Sequence, residues 1–317
     1  MSEFKRCVIC GRYSPKMLYA PLKIVKCRVC GLIYRDEVDI DNNYYRQLDR
    51  YHQYLLDDER LAARKRDAVF RFNLLKTIVR PQCKVLDIGA NDGSFMLEAE
   101  KAGLKAFGCE PNRYAAEYSR RLGLKVIDKY FEDAFAELKE EAPFHLVALF
   151  HVLEHLPDPI KTLGMIKGII SPDGYLIIEV PDISSPISRI FSWDDLRISK
   201  EHLFYFDRRT LNDLLKKSGF STVYCHRKVW DGLNRSWLEN IIRLPAISEA
   251  YMLLRRVKNK SKGFFGIKPP PRKNLDDNIE LWCSGKMQRR HYPFSYVLGR
   301  IIFQLNRGDD LFAIARH

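Results

Sequence analysis

The sequence predicts an α/β protein in which a largely parallel sheet carries helices on both faces, preceded by a small cysteine-rich module. From residue 83 onward, short apolar runs alternate with amphipathic stretches of helical length, which is the pattern of a parallel sheet. The first of these apolar runs leads into a turn that contains two glycines. Two Cys-x-x-Cys pairs in the first thirty residues predict the module.

The cysteine-rich module is predicted to occupy residues 1–40 and to bind one zinc ion. The spacing C-x2-C-x16-C-x2-C lies in the range of zinc sites, whereas chance pairing or a redox couple are the alternatives. A glycine follows each pair and permits a left-handed backbone that aims amides at sulfur. Four thiolates would leave no open coordination position, so we expect a structural Zn²⁺ site. Its ligands would be Cys7, Cys10, Cys27 and Cys30.

The segment 41–82 is rich in charge and tyrosine and is predicted to be a helical linker on the substrate side. Its apolar residues follow helical spacing, and the helix should end before Pro81. The residues that define this apolar face are Leu61, Val69, Phe72, Leu75 and Ile78.

The α/β domain is predicted to comprise 83–229 and 309–317, with a basic helical insertion at 230–308 before the last strand. Residues 129–143 are predicted to form a variable loop. Strands are expected at 84–89, 105–111, 124–128, within the apolar run 144–156, and at 175–181, 220–229 and 311–316. Helices are expected at 94–103, 112–123, 159–170 and 209–218.

The turn after the first strand predicts a ligand site. Gly89 and Gly93 let the backbone pass close to a ligand at the head of the sheet, where α/β folds bind cofactors. Position 91 is Asn rather than the Gly of a dinucleotide fingerprint, and no Gly-Lys-Ser/Thr follows, which disfavours nicotinamide cofactors and a P-loop. Glu110 ends the second strand, where a carboxylate can accept both ribose hydroxyls of an adenosine ligand.

The motifs VLDIGANDG and GCEPN resemble the first two motifs of class I S-adenosylmethionine-dependent methyltransferases. LFHVLEHLPDP resembles the segment after their fourth strand, and CVICG with VKCRVCGLIYRD resembles the zinc ribbon fused to such domains in bacterial and archaeal enzymes. The resemblance covers 1–229 and 309–317. It implies a Rossmann-like, seven-stranded sheet and S-adenosyl-L-methionine as cofactor.

The same resemblance implies roles for individual residues. The methionine end of the cofactor would lie against Asp87, Gly89, Asn91 and Gly93, and Glu110 would hold the ribose. The adenine would border Phe131 or Glu132, and the sulfonium would lie beside Phe150 and His151.

IGANDG and EHLFYF are further similar to sugar C-methyltransferases of deoxysugar biosynthesis, in which a Glu-His pair and a histidine after the fourth strand take part in proton transfer. That similarity implies Glu201, His202 and His151 as catalytic residues, with His202 as the favoured base. Two alternatives remain open. Glu154 and His155 could orient the loop only, and the pair 44–45 (Tyr-Tyr) could close over the acceptor or pack.

The net charge of +13 predicts a surface that attracts anions. Residues 240–273 hold nine Lys or Arg and one Glu among apolar residues. They could form a lid or dimer face, contact an anionic membrane surface, or grip nucleic acid. The apolar runs are too short for a spanning helix, and the N-terminus lacks a secretion signal. We therefore expect a cytoplasmic protein that can lie at the inner membrane face.

The expected acceptor is a small molecule, a sugar nucleotide or a cell-surface or lipid-linked glycan, methylated on O or C. No Asn-Pro-Pro-aromatic motif or Pro-Cys nucleophile follows the fourth strand, which argues against methylation of nucleic-acid bases. A nucleic-acid methyltransferase and an inactive binding module that keeps the fold are the alternative hypotheses. The oligomeric state is left open.

Overall fold

A computed structural model describes residues 6–36, 44–47, 55, 57–185, 201–228 and 310–316. The predicted basic insertion, including 240–273, lies outside the described residues. Among the described helices, none is long and apolar enough to cross a bilayer.

The strands and helices follow one another largely as the sequence pattern predicts. The strands are β1 (Pro15–Tyr19), β2 (Ile24–Cys27), β3 (Ile33–Arg35), β4 (Lys84–Ile88), β5 (Lys105–Cys109), β6 (Lys125–Ile127), β7 (Phe144–Phe150), β8 (Ile170–Pro181), β9 (Phe204–Tyr205), β10 (Ser221–Lys228) and β11 (Asp310–Arg316). The α-helices are α1 (Asp58–Leu75), α2 (Ser94–Lys101), α3 (Arg113–Arg121), α4 (Phe131–Glu140), α5 (Pro159–Lys167) and α6 (Arg208–Lys217), and short 3-10 turns cover Ala20–Leu22, Tyr45–Gln47 and Leu153–His155.

Seven strands form the main sheet in the order β10-β11-β8-β7-β4-β5-β6. The five strands from β8 to β6 run parallel, and β11 runs antiparallel to both of its neighbours. The chain enters the centre of the sheet at β4, builds one half outward to β6, and then returns to build the other half. The predicted α/β class with a seven-stranded sheet is confirmed.

Helices cover both faces of the sheet. On one face, α1 and α2 pack Leu75 and Met96 against the sheet in one apolar cluster. On the other face, α4, α5 and α6 contribute Leu138, Leu163 and Leu211 to a second cluster. The carboxyl ends of the parallel strands therefore lie at one open edge between the two helical layers, where α/β folds place ligands.

Two predicted boundaries are wrong. The loop predicted at 129–143 contains helix α4, whose residues Phe131, Ala134 and Leu138 bury one face at helical spacing. The helix predicted at 159–170 ends at Lys167, because Ile170 already pairs with Phe144 as the start of β8.

The apolar face predicted for the linker helix is also partly wrong. Val69 is 37% exposed, and α1 ends before Ile78. The buried positions of α1 are Leu61, Asp67, Ala68 and Leu75. Asp67 faces inward and is ion-paired with Arg71. Apolar periodicity alone does not detect a helix face that includes a charged residue.

The cysteine-rich module shares a sheet and a core with the α/β domain. Strands β1, β2 and β3 form an antiparallel sheet that is extended by β9, with Ile33 opposite Tyr205 and Tyr34 opposite Phe204. Tyr34 and Phe204 belong to the same apolar cluster as α6. Strand β9 therefore joins the module to the segment that carries Glu201 and His202.

Candidate functional site

The turn between β4 and α2 lies at the carboxyl edge of the sheet. Gly89 and Gly93 have φ values of 76° and 71°, which favour glycine. A Cβ at Gly89 would also clash with Val152, and one at Gly93 would clash with α3 and the residues after it. Both glycines are thus required by the backbone and by close packing, so the turn is fixed against its neighbours.

Glu110 is held at the end of β5 by two backbone amides. Its Oε2 accepts a hydrogen bond from the amide of Asn91 at 2.9 Å, and its Oε1 accepts from the amide of Asn112 at 2.8 Å. Burial raises the pKa of Glu110 to about 7, although these amides oppose the shift. A carboxylate oxygen can accept more than one hydrogen bond, so both oxygens keep capacity for a ligand.

Two further carboxyl groups flank Glu110, those of the buried Asp87 and the half-buried Asp128. Asp87 is 3% exposed, and burial raises its pKa to about 8 while Arg71 opposes the shift. Within the described residues, Oδ1 of Asp87 and Oδ1 of Asp128 are buried and accept no hydrogen bond. Sequence reasoning missed Asp128, although its place directly after the third strand of the domain was a signal. Three strand ends thus present acceptors at one edge.

The side chain of Asn91 is tied to the linker helix. Arg64 of α1 donates from Nη1 to Asn91 Oδ1 at 2.6 Å and lies 3.5 Å from Asp92 Oδ2. Ser119 donates to the carbonyl of Asn91 at 2.8 Å. The predicted turn residue is therefore positioned by α1 and α3, a role of Arg64 that the motif alone does not show.

The aromatic residues of the predicted site occupy different places. Phe131 is 3% exposed and packs edge-on against Phe135, so its ring belongs to the core. Glu132 accepts a hydrogen bond from Thr162 at 2.5 Å. Phe150 ends β7, lies edge-on to Phe95, and carries the guanidinium of Arg71 4.2 Å above its ring. Phe150 therefore lies at the strand edge, whereas Phe131 offers little side-chain surface.

His151 follows β7 with a left-handed φ of 56° and is surrounded by carboxylates. Its Nδ1 lies 3.4 Å from Glu154 Oε1, and its Nε2 lies 3.4 Å from Glu179 Oε1 and 3.9 Å from Asp310 Oδ2. Burial alone would lower the pKa of His151, but Asp310, Glu154 and Glu179 together raise it well above its ordinary value. The surrounding carboxylates therefore favour the protonated imidazole.

Arg71 completes this buried charge network. Its Nε lies 2.7 Å from Glu179 Oε2, and its Nη2 lies 2.9 Å from Asp67 Oδ2. Glu179 is fully buried, so its charge depends on Arg71 and His151 for compensation. The network ties α1 to β8 and, through Asp310, to the start of β11.

Replacing Arg71 with Met should destabilise the protein by about 3–5 kcal/mol, because it leaves two buried carboxylates without their main cation. Chemical denaturation would measure the change. Arg66→Met on the exposed side of the same helix is the matched control and should change stability by less than about 0.5 kcal/mol. Equal effects of the two substitutions would contradict the role of Arg71.

A second cluster brings together residues that are far apart in the sequence. His155 Nδ1 lies 2.9 Å from Tyr45 Oη and 3.0 Å from the carbonyl oxygen of Glu201. The rings of His155 and His202 meet edge-on, with centroids 4.7 Å apart. Tyr44 donates to Glu201 Oε1 at 2.8 Å. Tyr44, Tyr45 and the Glu-His pair thus form one surface beside the end of β7.

The segment that carries the two tyrosines also contacts the Glu110 side of the edge. Asn112 donates from Nδ2 to the carbonyl of Tyr45 at 2.9 Å, and Arg46 donates to the carbonyl of Asp128 at 3.4 Å. The tyrosine segment therefore spans the strand ends, with the carboxylates on one side and the histidines on the other.

The four module cysteines converge on one point. Cys7 Sγ lies 3.3 Å from Cys30 Sγ, Cys10 Sγ lies 3.5 Å from Cys27 Sγ, and all four sulfurs lie within 4.8 Å of one another. Zinc–sulfur bonds of about 2.3 Å place tetrahedral ligands roughly 3.8 Å apart. The donor set therefore fits a single tetrahedral ion.

The backbone of each cysteine turn is fixed by a glycine amide. Gly11 donates to the carbonyl of Cys7 at 2.8 Å, and Gly31 donates to the carbonyl of Cys27 at 2.9 Å. Burial raises the pKa of the Cys27 thiol, but backbone amides, chiefly that of Cys30, outweigh it and lower the pKa to about 7. The glycines shape the turns, and amides within the turns favour the thiolate.

Comparisons with known proteins match this architecture. A family described as a methyltransferase domain matches residues 41–224, more than half of the chain. The C-methyltransferase NovU of Streptomyces niveus is 25% identical over 212 residues, which are 65% of this chain and 48% of that protein. A ubiquinone biosynthesis O-methyltransferase of Actinobacillus pleuropneumoniae is 29% identical over 103 residues, 29% of this chain and 43% of that protein.

The chain spans about half the length of these curated relatives. Among solved structures, a SAM-dependent methyltransferase from Archaeoglobus fulgidus superposes with a TM-score of 0.48 at 18% identity, over 80% of this chain and 94% of that one.

Proposed function

The chain belongs to the methyltransferase domain family, and from that membership we propose that it methylates a small-molecule acceptor with S-adenosyl-L-methionine. The observation that carries the proposal is the carboxylate of Glu110, fixed by two backbone amides at the carboxyl edge of the sheet. S-adenosylmethionine supplies a methyl group already activated by its sulfonium. The protein must bind it, align the acceptor, exclude water and remove a proton where the acceptor has one.

The described residues fit this cofactor in three places. Glu110 would accept the ribose hydroxyls, and the orphaned Oδ1 of Asp87 would accept from the amino group of the methionine end, beside the Gly89–Gly93 turn. The orphaned Oδ1 of Asp128 would accept from the amino group of adenine, so that contact falls to Asp128 rather than to the ring of Phe131.

The charge network would favour a sulfonium beside Phe150. Two cations, Arg71 and His151, face four carboxylates, those of Asp67, Glu154, Glu179 and Asp310. A positively charged ligand is stabilised near such an excess of negative charge.

We assign the proton-accepting role to His202. The sequence resemblance also implies proton transfer by His151, but three carboxylates lie against its ring nitrogens and raise its pKa, which favours its protonated form, so we propose His202 instead. His202 lies against His155 and beside Glu201, whose carboxylate is held by Tyr44. His151 would instead place charge near the cofactor.

We expect the acceptor to be a sugar nucleotide or a glycan. The family resemblance and the similarity to a C-methyltransferase support a small acceptor. The strands on either side of the insertion support an acceptor-side role for it, since Lys228 pairs with Asp310, and Asp310 pairs with Pro181 at the carboxyl end of β8. Transfer of a labelled methyl group to a panel of sugar nucleotides, glycolipids and RNA tests this proposal. Labelling of RNA alone would contradict it.

Replacing His202 with Asn should lower kcat by about 10²–10⁴-fold if this residue removes the acceptor proton. The affinity for S-adenosylhomocysteine should change little. The measurement is kcat across pH with an acceptor that the labelling panel identifies, and the variant should lose the rise of kcat with pH that the wild type shows. His145→Asn, on an exposed site of β7, is the control and should behave as the wild type.

The affinity for S-adenosylhomocysteine should fall as the pH is lowered from 8.5 to 6. Glu110 and Asp87 have pKa values raised to about 7 and about 8, and their ionised forms are the stronger acceptors. Protonation below those values weakens binding, by up to about tenfold per pH unit for each group. Calorimetry at several pH values measures this slope. A flat profile would contradict the proposed roles.

We further propose that the cysteine cluster holds a structural zinc ion, because four sulfur donors leave no coordination position for a substrate. We retain the proposal that the basic insertion can contact an anionic membrane surface, which would bring the site to a lipid-linked glycan.

A further inference from the structure

Outside the cysteine cluster and the carboxylate edge, the geometry points to a second metal site. We infer that Glu154, His155 and His202 bind one divalent cation of the Mn²⁺, Fe²⁺ or Zn²⁺ type at the acceptor side of the sheet edge. Its role toward the acceptor rests on the proposed methyltransferase function, whereas the site itself does not.

The three side chains converge as metal ligands do. One oxygen of Glu154 and one ring nitrogen from each histidine lie within 4.8 Å of one another. Two imidazoles and one carboxylate are the ligand set of non-haem iron sites and of several zinc enzymes. Three protein ligands leave positions open for an acceptor oxygen, unlike the closed set of four cysteines.

Glu154 supplies the second, independent observation. Its side chain is 1% exposed, and neither carboxylate oxygen makes a hydrogen bond within the described part of the chain. The nearest nitrogens are His151 Nδ1 at 3.4 Å and His155 Nε2 at 4.0 Å, both longer than a good hydrogen bond. A directly bound cation would therefore stabilise this carboxylate, whose two oxygens are buried without hydrogen bonds.

The orientation of His155 is that of a ligand. A carbonyl oxygen can only accept, so the contact of His155 Nδ1 with the carbonyl of Glu201 at 3.0 Å places the proton on Nδ1. Tyr45 Oη lies 2.9 Å from the same nitrogen. In the neutral form of this tautomer, Nε2 carries the lone pair, and it lies 4.0 Å from Glu154 Oε1. Metal-binding histidines characteristically donate their other ring N–H to a carbonyl in this way.

The neighbouring group of His151, Glu179 and Asp310 is a poorer site for a cation. Arg71 already occupies Glu179 Oε2 at 2.7 Å, and Nε2 of His151 already lies 3.4 Å from Glu179 Oε1 and 3.9 Å from Asp310 Oδ2. Among the described residues, no arginine or lysine forms an ion pair with Glu154, so this group is the one we assign.

A cation at this position would change how the acceptor proton is lost. A bound divalent ion would act as a Lewis acid toward an acceptor hydroxyl, and the Glu201 carboxylate, held by Tyr44 beside the cluster, would be the group that takes up the proton. His202 would then be a ligand and not the proton acceptor proposed above, so binding of the ion would replace that role, and loss of His202 would abolish both metal binding and turnover.

The full-length, zinc-loaded chain titrated with Mn²⁺ and followed by electron paramagnetic resonance tests the inference. Mn²⁺ prefers oxygen and nitrogen ligands, so it should leave the cysteine cluster occupied by zinc. We expect one Mn²⁺ per chain, with pulsed spectra showing coupling to histidine nitrogen. Glu154→Gln and His155→Gln should each weaken binding at least about tenfold, whereas His145→Gln should not.

Absence of Mn²⁺ binding, a spectrum without nitrogen coupling, or an affinity unchanged by Glu154→Gln would each overturn the site. Unchanged zinc content and melting temperature show that a variant is folded. If Glu154→Gln does not fold, His155→Gln provides the test of Mn²⁺ binding. Titration of the same samples with S-adenosylhomocysteine distinguishes the two proposals. A protein that binds this compound but not Mn²⁺ refutes the metal site alone. A protein that binds Mn²⁺ but not this compound refutes the methyltransferase proposal alone.

Discussion

Replacing Glu110 with Gln should weaken binding of S-adenosylhomocysteine at least about 100-fold. The carboxylate would lose its charge, and hydrogen bonds to charged groups contribute about 1.5–3 kcal/mol each, with 1.4 kcal/mol per factor of ten. The glutamine amide group would also face one of the two backbone amides that the carboxylate accepts from, those of Asn91 and Asn112. Calorimetric titration of both proteins at pH 8 measures the ratio.

Glu117→Gln provides the control for this experiment. Glu117 lies on the exposed side of α3 and pairs with Arg120 and Arg121, so its loss removes a charge of the same sign without touching the edge of the sheet. We expect its affinity to stay within about twofold of the wild type, since exposed pairs contribute little. A Glu110→Gln protein that binds as well as this control would remove Glu110 from the site.

Replacing Cys27 with Ser should abolish zinc binding and lower the melting temperature by more than about 10 °C. Structural zinc contributes folding energy directly, and about 1 kcal/mol shifts the melting temperature by roughly 2–4 °C in a protein of this size. Because the module shares its core and its sheet with β9, its loss should destabilise the α/β domain as well. Metal analysis and thermal denaturation measure both effects.

Cys83→Ser is the matched substitution outside the cluster. Cys83 is half-buried and lies just before β4. The Cys83→Ser protein should therefore retain one zinc ion per chain and have a melting temperature close to that of the wild type. Two separate transitions in the wild type, or a Cys27→Ser protein that keeps its zinc, would show that the module is not coupled in this way.

The sequence identified the parts of the site that follow directly from strand ends. Gly89 and Glu110 each follow a short apolar strand, and parallel strands bring their carboxyl ends to one edge. Local pattern and the rules of α/β folds were therefore enough to place them near one another. The α/β class was predictable for the same reason.

The buried charge network was not predictable, because its members come from distant segments. Arg71 lies in the linker helix, Glu179 in β8 and Asp310 at the start of β11, after the long insertion. Nothing in the local pattern of any one segment shows the pairing. The same holds for Tyr45, whose contact with His155 depends on how the linker crosses the sheet edge.

Helix α4 was missed for a different reason. Its buried residues, Phe131, Ala134 and Leu138, follow helical spacing, but its four acidic residues at 132, 133, 137 and 140 made the segment resemble a polar loop. The pairing of β9 with the cysteine-rich module was also not predictable, because β9 has only two residues and shows no recognisable strand pattern.

A crystal structure of the zinc-loaded protein grown with S-adenosylhomocysteine tests the central claim most directly. The account predicts density for the pentose with both hydroxyls at hydrogen-bond distance from Glu110, and the amino-acid end toward Asp87. Density for the compound at another position, or none at saturating concentration, would contradict it.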